Sequence, residues 1–277
     1  MEVALCLIAN YYLESDYIVE FCEYYFGLGI DTIYILDDLN GREERLIDIP
    51  YIKEKADEGK IVYTGVQNHP THWQLYPWFY NNFKDKFDWC CFFDCDEFLY
   101  LPVHKGIKEF INDEKLGFND NCDVIQVSWR IYGDNGFTHK PDGKVRDNFR
   151  GKPYVKNKCE NKVIVHGGLQ NLKMFIGHAA IDGNHAERIK YSNGSIRYAY
   201  DPFFLNPDYS VAALEHYGTK SAEEYIKRKL EGNPDTPQIP IVQLFPDYRK
   251  SFFELNESTP EKEAMFDEAF KKLKNEL

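Results

Sequence analysis

The chain has no excess of positive charge. Its 33 Lys and Arg stand against 45 Asp and Glu, a net charge of -12, which excludes sequence-independent nucleic-acid binding and broad attraction to anionic lipid. An anionic ligand must therefore be held locally, by a metal or by a few placed cations. Zinc-type cysteine spacing is also missing. The seven cysteines, an odd number, are scattered through apolar segments (Cys6, Cys22, Cys90, Cys91, Cys95) and read as reduced core thiols of a cytosolic protein. The apolar N-terminal run Val3 to Ala9 is too short for a membrane span and has no basic leader before it. Neither signal peptide nor anchor is expected, and the protein is placed in the cytoplasm with at most peripheral contact at the inner face of a membrane. Internal repeats and low-complexity tracts are absent as well. What is present is core material: 277 residues, 43% hydrophobic and 16% aromatic, ample for a large globular domain.

Apolar patterning supplies the elements. Val3 to Ala9 reads as a buried strand, and Tyr17 to Leu28 carries Ile18, Phe21, Cys22, Tyr25 and Leu28 at helical spacing before Gly27 and Gly29 end it. Thr32 to Leu36 is a second strand closing in Asp37-Asp38, Lys60 to Thr64 a third, and Thr71 to Phe87 a helix despite Pro77. Trp89 to Phe93 is a fourth strand and Val124 to Trp129 a further one, followed by Arg130. Such alternation predicts a parallel sheet wrapped by helices, with ligands beyond the carboxyl ends of its strands. Residues 133 to 209 are rich in Gly, Asn, Asp and aromatics, with short strands at Lys162–Val165, Met174–Ile176 and Ile196–Tyr200, as suits loops covering a site. From Val211 the pattern predicts helix again, broken at Gly232-Asn233-Pro234. A last helix opens at Thr259-Pro260, with Phe266, Ala269, Phe270, Leu273 and Leu277 on one stripe.

The fourth strand ends abruptly in acid: Phe93-Asp94-Cys95-Asp96-Glu97-Phe98. On extended chain Asp94 and Asp96 point the same way, and two anions so close call for a cation between them. Oxygen-only ligation favours Mg²⁺ or Mn²⁺, which keep positions open for water and substrate phosphates. A second motif, His216-Tyr217-Gly218-Thr219-Lys220, offers an imidazole to complete such a metal, a glycine that lets backbone approach a phosphate, and a point charge for a leaving diphosphate. Asp94 and Asp96 also fit a turn or helix cap, and the second motif also fits a plain helix start.

Four segments in order resemble the sugar-nucleotide glycosyltransferases of families 2 and 92, which have a GT-A fold. They are Tyr17–Phe21 through Gly29-Ile30-Asp31 with Tyr34–Asp38; Trp89 through Asp94-Cys95-Asp96-Glu97-Phe98-Leu99; Trp129–Gly133; and Glu215–Ser221. Lys162–Val165 and His178 resemble a further family segment and a later His. The family's first strand usually ends Asn-Glu; here Asn10 is followed by Tyr11-Tyr12-Leu13 before Glu14. The resemblance implies a mostly parallel, Rossmann-like α/β sheet flanked by helices, with a loop-rich acceptor-side half and C-terminal helices. In that scheme residues 1–130 bind the nucleotide sugar, 131–232 face the acceptor and 233–277 extend the one domain.

The same resemblance implies inverting, metal-dependent transfer of a sugar, a hexose from a UDP-sugar, to a glycan or lipid-linked glycan in surface or capsular polysaccharide synthesis, with Mn²⁺ or Mg²⁺ as cofactor. Asn10, Glu14, Asp38, Asp94, Arg130, Lys162 and Lys220 would then bind the donor, and Asp94, Asp96 and His216 the metal. The acceptor's proton would go to Asp134, with Glu97, His178 and Glu215 as the other candidates; Asp134-Asn135-Gly136 also reads as a plain turn. A metal-dependent phosphohydrolase would need more ligands around Asp94 than can be placed. A non-catalytic carbohydrate-binding module would explain the 20 Tyr and 4 Trp but not the acids at strand ends.

Overall fold

The structure, a computed structural model, describes residues 1–277 apart from 69, 120, 155–157, 171, 176–177, 182–185, 197–202, 206, 233–237 and 276–277; for 158, 173–175, 178–181, 186 and 203–205 it gives backbone alone. Two compact units emerge, each assembled from two stretches of chain: Met1–Arg130 with Lys156–Glu215, and Ile131–Val155 with His216–Leu277.

The first unit is built on strands β1 (Val3–Ala9), β2 (Thr32–Asp38), β3 (Ile61–Val66), β4 (Trp89–Phe92), β5 (Glu97–Tyr100), β6 (Val124–Ile131), β7 (Lys158–His166), β8 (Leu172–Phe175), β9 (His178–Ile181), β10 (Ile189–Tyr191), β11 (Phe203–Leu205) and β12 (Ala213–His216). Its helices are α1 (Tyr11–Glu14), α2 (Ile18–Leu28), α3 (Pro50–Asp57), α4 (His72–Phe83) and α5 (Ile107–Ile111). One mixed sheet runs β3-β2-β1-β4-β7-β6-β12-β5, with β10 on β6 and β11 on β7, and β8 and β9 pair separately. The stretch β3-β2-β1-β4 is parallel throughout; β7 then runs antiparallel to both β4 and β6. Central parallel strands are covered on both faces, so β1 and β4 are unbroken apolar runs with almost every residue buried. The stripe Leu75, Tyr76, Phe79 and Tyr80 of α4 packs into the same cluster as Cys6, Leu36, Cys90, Phe92 and Val163 of the sheet, as helical spacing requires.

In the second unit, α6 (Val145–Phe149) precedes α7 (Ala222–Leu230), α8 (Ile241–Leu255) and α9 (Pro260–Asn275). Tyr225 and Ile226 of α7, Phe245 and Phe252 of α8, and Phe266 and Ala269 of α9 form one core. The expected stripe of the last helix thus faces two other helices at Phe266, Ala269, Phe270 and Leu273, while Leu277 lies outside the described residues.

Three expectations change. The chain after Val211 is strand before it is helix: Ala213–His216 is β12, inserted between β6 and β5. Alanine and leucine favour helix, but a place inside a sheet overrides that preference. Asp94 and Asp96 do not lie on extended chain, because β4 stops at Phe92 and the acids occupy the turn to β5, closed by Glu97 N–H donating to the Asp94 carbonyl at 3.0 Å. The run of parallel strands is interrupted by β7, which is antiparallel to β4 and β6, while β10 again pairs parallel with β6. Of the expected strand Ile196–Tyr200, Ile196 bridges Lys190 and the rest lies outside the described residues, as does Ile176.

Candidate functional site

In the first unit the chain moves outward from β1 to β3 and then returns to lay β4 on the other side of β1. This is the point where strand order reverses, and the carboxyl ends beside it are where such sheets bind ligands. Asn10 follows β1, Asp37 and Asp38 end β2, and Asp94 to Glu97 follow β4. Because β7 is antiparallel and Val163 pairs with Phe92, Lys162 is brought to the same edge.

A four-residue cluster forms there. Lys162 Nζ lies 2.7 Å from Asp94 Oδ2 and 3.8 Å from Glu97 Oε1. The Tyr76 hydroxyl donates to Asp94 Oδ1 at 3.3 Å, and Asp94 N–H donates to Glu97 Oε2 at 2.8 Å. The Lys162 and Glu97 side chains are sealed, at 5% and 0% exposure, while that of Asp94 reaches solvent at 36%. Asp96 is buried. Two acids thus face one ammonium, and the charge of buried Asp96 acts on all three groups.

Their proton affinities diverge accordingly. Burial works against the Asp94 charge, as does Asp96, but Lys162 and His72 outweigh both and hold its pKa below the ordinary carboxylate value. Glu97 is pushed well above it, by burial first and then by Asp94 and Asp96, against the pull of Lys162. Burial also opposes the charge of Lys162, and Asp94 and Glu97 overcome it, so the ammonium is held above the usual lysine range. An Asp94 pKa held down beside a Glu97 pKa pushed up is the environment-driven splitting of like groups found at reactive sites.

Sequence reasoning missed Tyr76 and His72. Tyr76 was hidden in an apolar stripe that it does belong to. His72 opens α4, and its ring stacks on Tyr76 with centroids 6.0 Å apart and planes at 21°; the signal for it was its place at the start of the helix after the third strand.

Other expected residues have defined partners. Asp37 accepts from the Leu46 N–H at 2.8 Å and the Tyr63 hydroxyl at 2.9 Å, so it fastens the loop after β2. Asp38 beside it is buried. Asn10 caps α1, accepting from Leu13 N–H at 3.0 Å, while its own N–H donates to Glu14 Oε2 at 3.0 Å; the two candidates for the end of the first strand serve one reciprocal cap. Arg130 pairs with buried Glu215 at 2.5 Å and lies over the Tyr100 ring. His178 opens β9, and its side chain lies outside the described residues.

In the second unit Asp134 is sealed. Its Oδ2 meets Lys262 Nζ at 2.6 Å, with side-chain exposures of 4% and 1%, and its Oδ1 accepts from Gly136 N–H at 2.8 Å. His216 ends β12, and a Cβ on Gly218 would come within 2.7 Å of its Nε2. The glycine of that motif therefore makes room for the imidazole. Tyr217 stacks on Tyr132 at 5.0 Å, and Lys220 adopts a left-handed φ of 49° before Ser221 caps α7.

Among the described residues, no group of three or more His, Cys, Asp and Glu side chains could hold a metal ion. The oxygens of Asp94 and Asp96 are the right donors for Mg²⁺ or Mn²⁺, and such ions are commonly bound by one or two carboxylates together with substrate phosphates. The fit is thus to a metal held jointly with a ligand, and not to a complete protein cage. No described helix is long and apolar enough to cross a membrane.

No protein-family model matches the chain, and no curated sequence matches it. Among solved structures it is similar to S. aureus TarS 1-349 (TM-score 0.39, 12% identity, 99% of this chain and 71% of that one). Another is GalNAc-T7 with UDP, GalNAc and Mn²⁺ (0.39, 10%, 98% and 54%). A third is UDP-glucose pyrophosphorylase complexed with UDP-glucose (0.29, 11%, 66% and 75%). At these scores and identities the likenesses bear on neither activity nor ligand.

Proposed function

We propose that the first unit binds a nucleoside-diphosphate sugar and that the chain is a metal-dependent, inverting glycosyltransferase of the GT-A type. One observation carries this reading: a surplus of carboxylates over cations, open to solvent at Asp94, at the carboxyl edge where the parallel strand order reverses. A diphosphate and a cluster of carboxylates repel each other unless a cation joins them. Mg²⁺ or Mn²⁺, when bound, supplies the Lewis acid for the departing diphosphate. Asp94 and Asp96 hold it, Lys162 and Tyr76 fix the Asp94 carboxylate, and Asp38 at the end of the neighbouring strand meets the nucleoside.

A thermal-shift titration with UDP and UDP-sugars, with and without Mn²⁺, tests the reading, because a ligand of the native state raises its apparent stability. The expected result is a shift that needs both nucleotide and metal and vanishes in the Asp94→Asn, Asp96→Asn double variant. A shift of wild-type size in that variant would overturn the site. Release of free sugar from the donor, without inorganic phosphate, separates transferase from phosphohydrolase.

A further inference from the structure

Lys162 puts a cation among the acids of the first unit before any ion arrives from solution. Its strand pairs with β4 on one side and β6 on the other, with Val163 opposite Phe92 and Lys162 itself opposite Val127. The sheet therefore decides where the ammonium stands. Nζ lies 2.7 Å from Asp94 Oδ2 and 3.8 Å from Glu97 Oε1, on a side chain only 5% exposed, and lysine is almost never so buried unless it is paired. The other Asp94 oxygen accepts from the Tyr76 hydroxyl at 3.3 Å. The carboxylate that reaches solvent is thus one whose charge an ammonium already shares.

A divalent ion taken up at Asp94 and Asp96 comes close to this ammonium, and the sealed lysine on its doubly paired strand cannot move aside. Like charges oppose each other most where water is excluded. Among the described residues, no group of three or more His, Cys, Asp and Glu side chains could hold a metal, so the described chain supplies no third ligand to offset the repulsion. A diphosphate offers what is missing, oxygen ligands and negative charge of its own. We propose that Lys162 makes metal binding conditional: as a fixed counter-ion it keeps the metal affinity of the empty cluster low, so that the divalent ion is held only together with a diphosphate. The diphosphate half of this statement rests on the proposed sugar-nucleotide site; the effect of the ammonium on metal affinity does not. A lysine that merely oriented Asp94 would have the opposite sign, because its loss would loosen a ligand and weaken the metal.

Mn²⁺ binding to the full chain, followed by the electron paramagnetic resonance of the free ion with and without UDP, tests the proposal on wild type, on Lys162→Met and on Lys162→Met with Glu97→Gln. Methionine removes the charge and stays apolar in a sealed place; the double variant also removes the acid that would be left buried without its cation. Circular dichroism checks both folds. Without nucleotide, the variants should bind Mn²⁺ at least about tenfold more tightly than wild type, and the gain should vanish when Asp94→Asn and Asp96→Asn are added. Unchanged or weaker binding by the folded variants, or a gain that survives the loss of both aspartates, overturns the proposal. Wild type that holds Mn²⁺ with UDP, beside variants no better without it, would leave the nucleotide site standing and remove the role of Lys162. Tight binding by the variants, with none by wild type even with UDP, would keep that role and remove the nucleotide site.

Discussion

Each unit holds a lysine against an aspartate, and the two pairs are built differently. Lys262 and Asp134 in the second unit are both sealed, one charge against one, with the other Asp134 oxygen taken by a backbone N–H. Lys162 in the first unit is equally sealed but faces a second acid, Glu97, at 3.8 Å within the field of Asp96, and its partner Asp94 is 36% exposed. A balanced, water-free pair has nothing left to offer a ligand, and removing either partner strands the other charge. An unbalanced cluster with one open carboxylate is unfavourable by itself and is relieved when a cation arrives. Burial of an ion pair therefore does not separate structural from functional charge; the count of charges and the access to water do.

The sharpest break of this comparison is Asp94→Asn with Asp96→Asn. Both replacements keep size and remove charge from the cluster that is in surplus. The fold should persist, because Lys162 retains Glu97 within 3.8 Å. Transfer should fall by at least the roughly hundredfold to thousandfold typical of losing one group that stabilises transition-state charge. Turnover of a UDP-sugar measured beside a thermal melt decides it: an active double variant, or an unfolded one, contradicts the contrast.

Asp134→Asn should do the reverse. It leaves the buried Lys262 ammonium uncompensated, so a loss of about 3–5 kcal/mol in unfolding free energy is expected from urea denaturation. Replacing the pair by Asp134→Leu with Lys262→Met should recover most of it, since two apolar groups need no partner. The same Asp134→Asn protein, assayed below its melting temperature, also tests the base expected from the sequence. A rate loss of roughly a hundredfold to ten-thousandfold with intact donor binding would assign proton removal to Asp134, whereas a near-unchanged rate leaves it a purely structural charge.

The elements around the first site were legible in the sequence because buried parallel strands write themselves as apolar runs, with acids closing β2 and following β4: β1, β2 and β4 could be read from Val3–Ala9, Thr32–Asp38 and Trp89–Phe92. The partners of the acids were not. Lys162 reaches Asp94 across 68 positions through an antiparallel pairing, and no local pattern carries a register. Asp134 looked like a turn and is one, yet its partner Lys262 sits in α9, whose charged residues read as a solvated face. β12 was misread for a related reason, since Ala213 and Leu214 favour helix locally and only the gap between β6 and β5 selects strand.

The smallest expected effect is the most specific to the surplus of acid. Glu97 is held protonated to higher pH in the folded state than in the unfolded chain. The unfolded chain therefore loses that proton first as pH rises, and stability falls from about pH 4.3, the ordinary Glu value, through the raised folded value, and is level above it. Asp94 has the opposite sign: its depressed pKa adds stability that is complete above the unfolded Asp value of about 3.9 and fades only as pH falls below it. Lys162, raised by its carboxylates, adds stability that is lost only above about pH 10.4. Glu97→Gln keeps an oxygen for the Asp94 N–H and cannot ionise, so the variant should lose the downward slope between about pH 5 and the folded Glu97 pKa and become the more stable protein at its upper end. Chemical denaturation across pH 5 to 9 without added divalent metal, taken as the difference between variant and wild type, cancels other groups such as Asp37 whose pKa is also raised. A difference that is flat across that range would mean the cluster carries no surplus charge, and the contrast between the two lysine–aspartate pairs would fail.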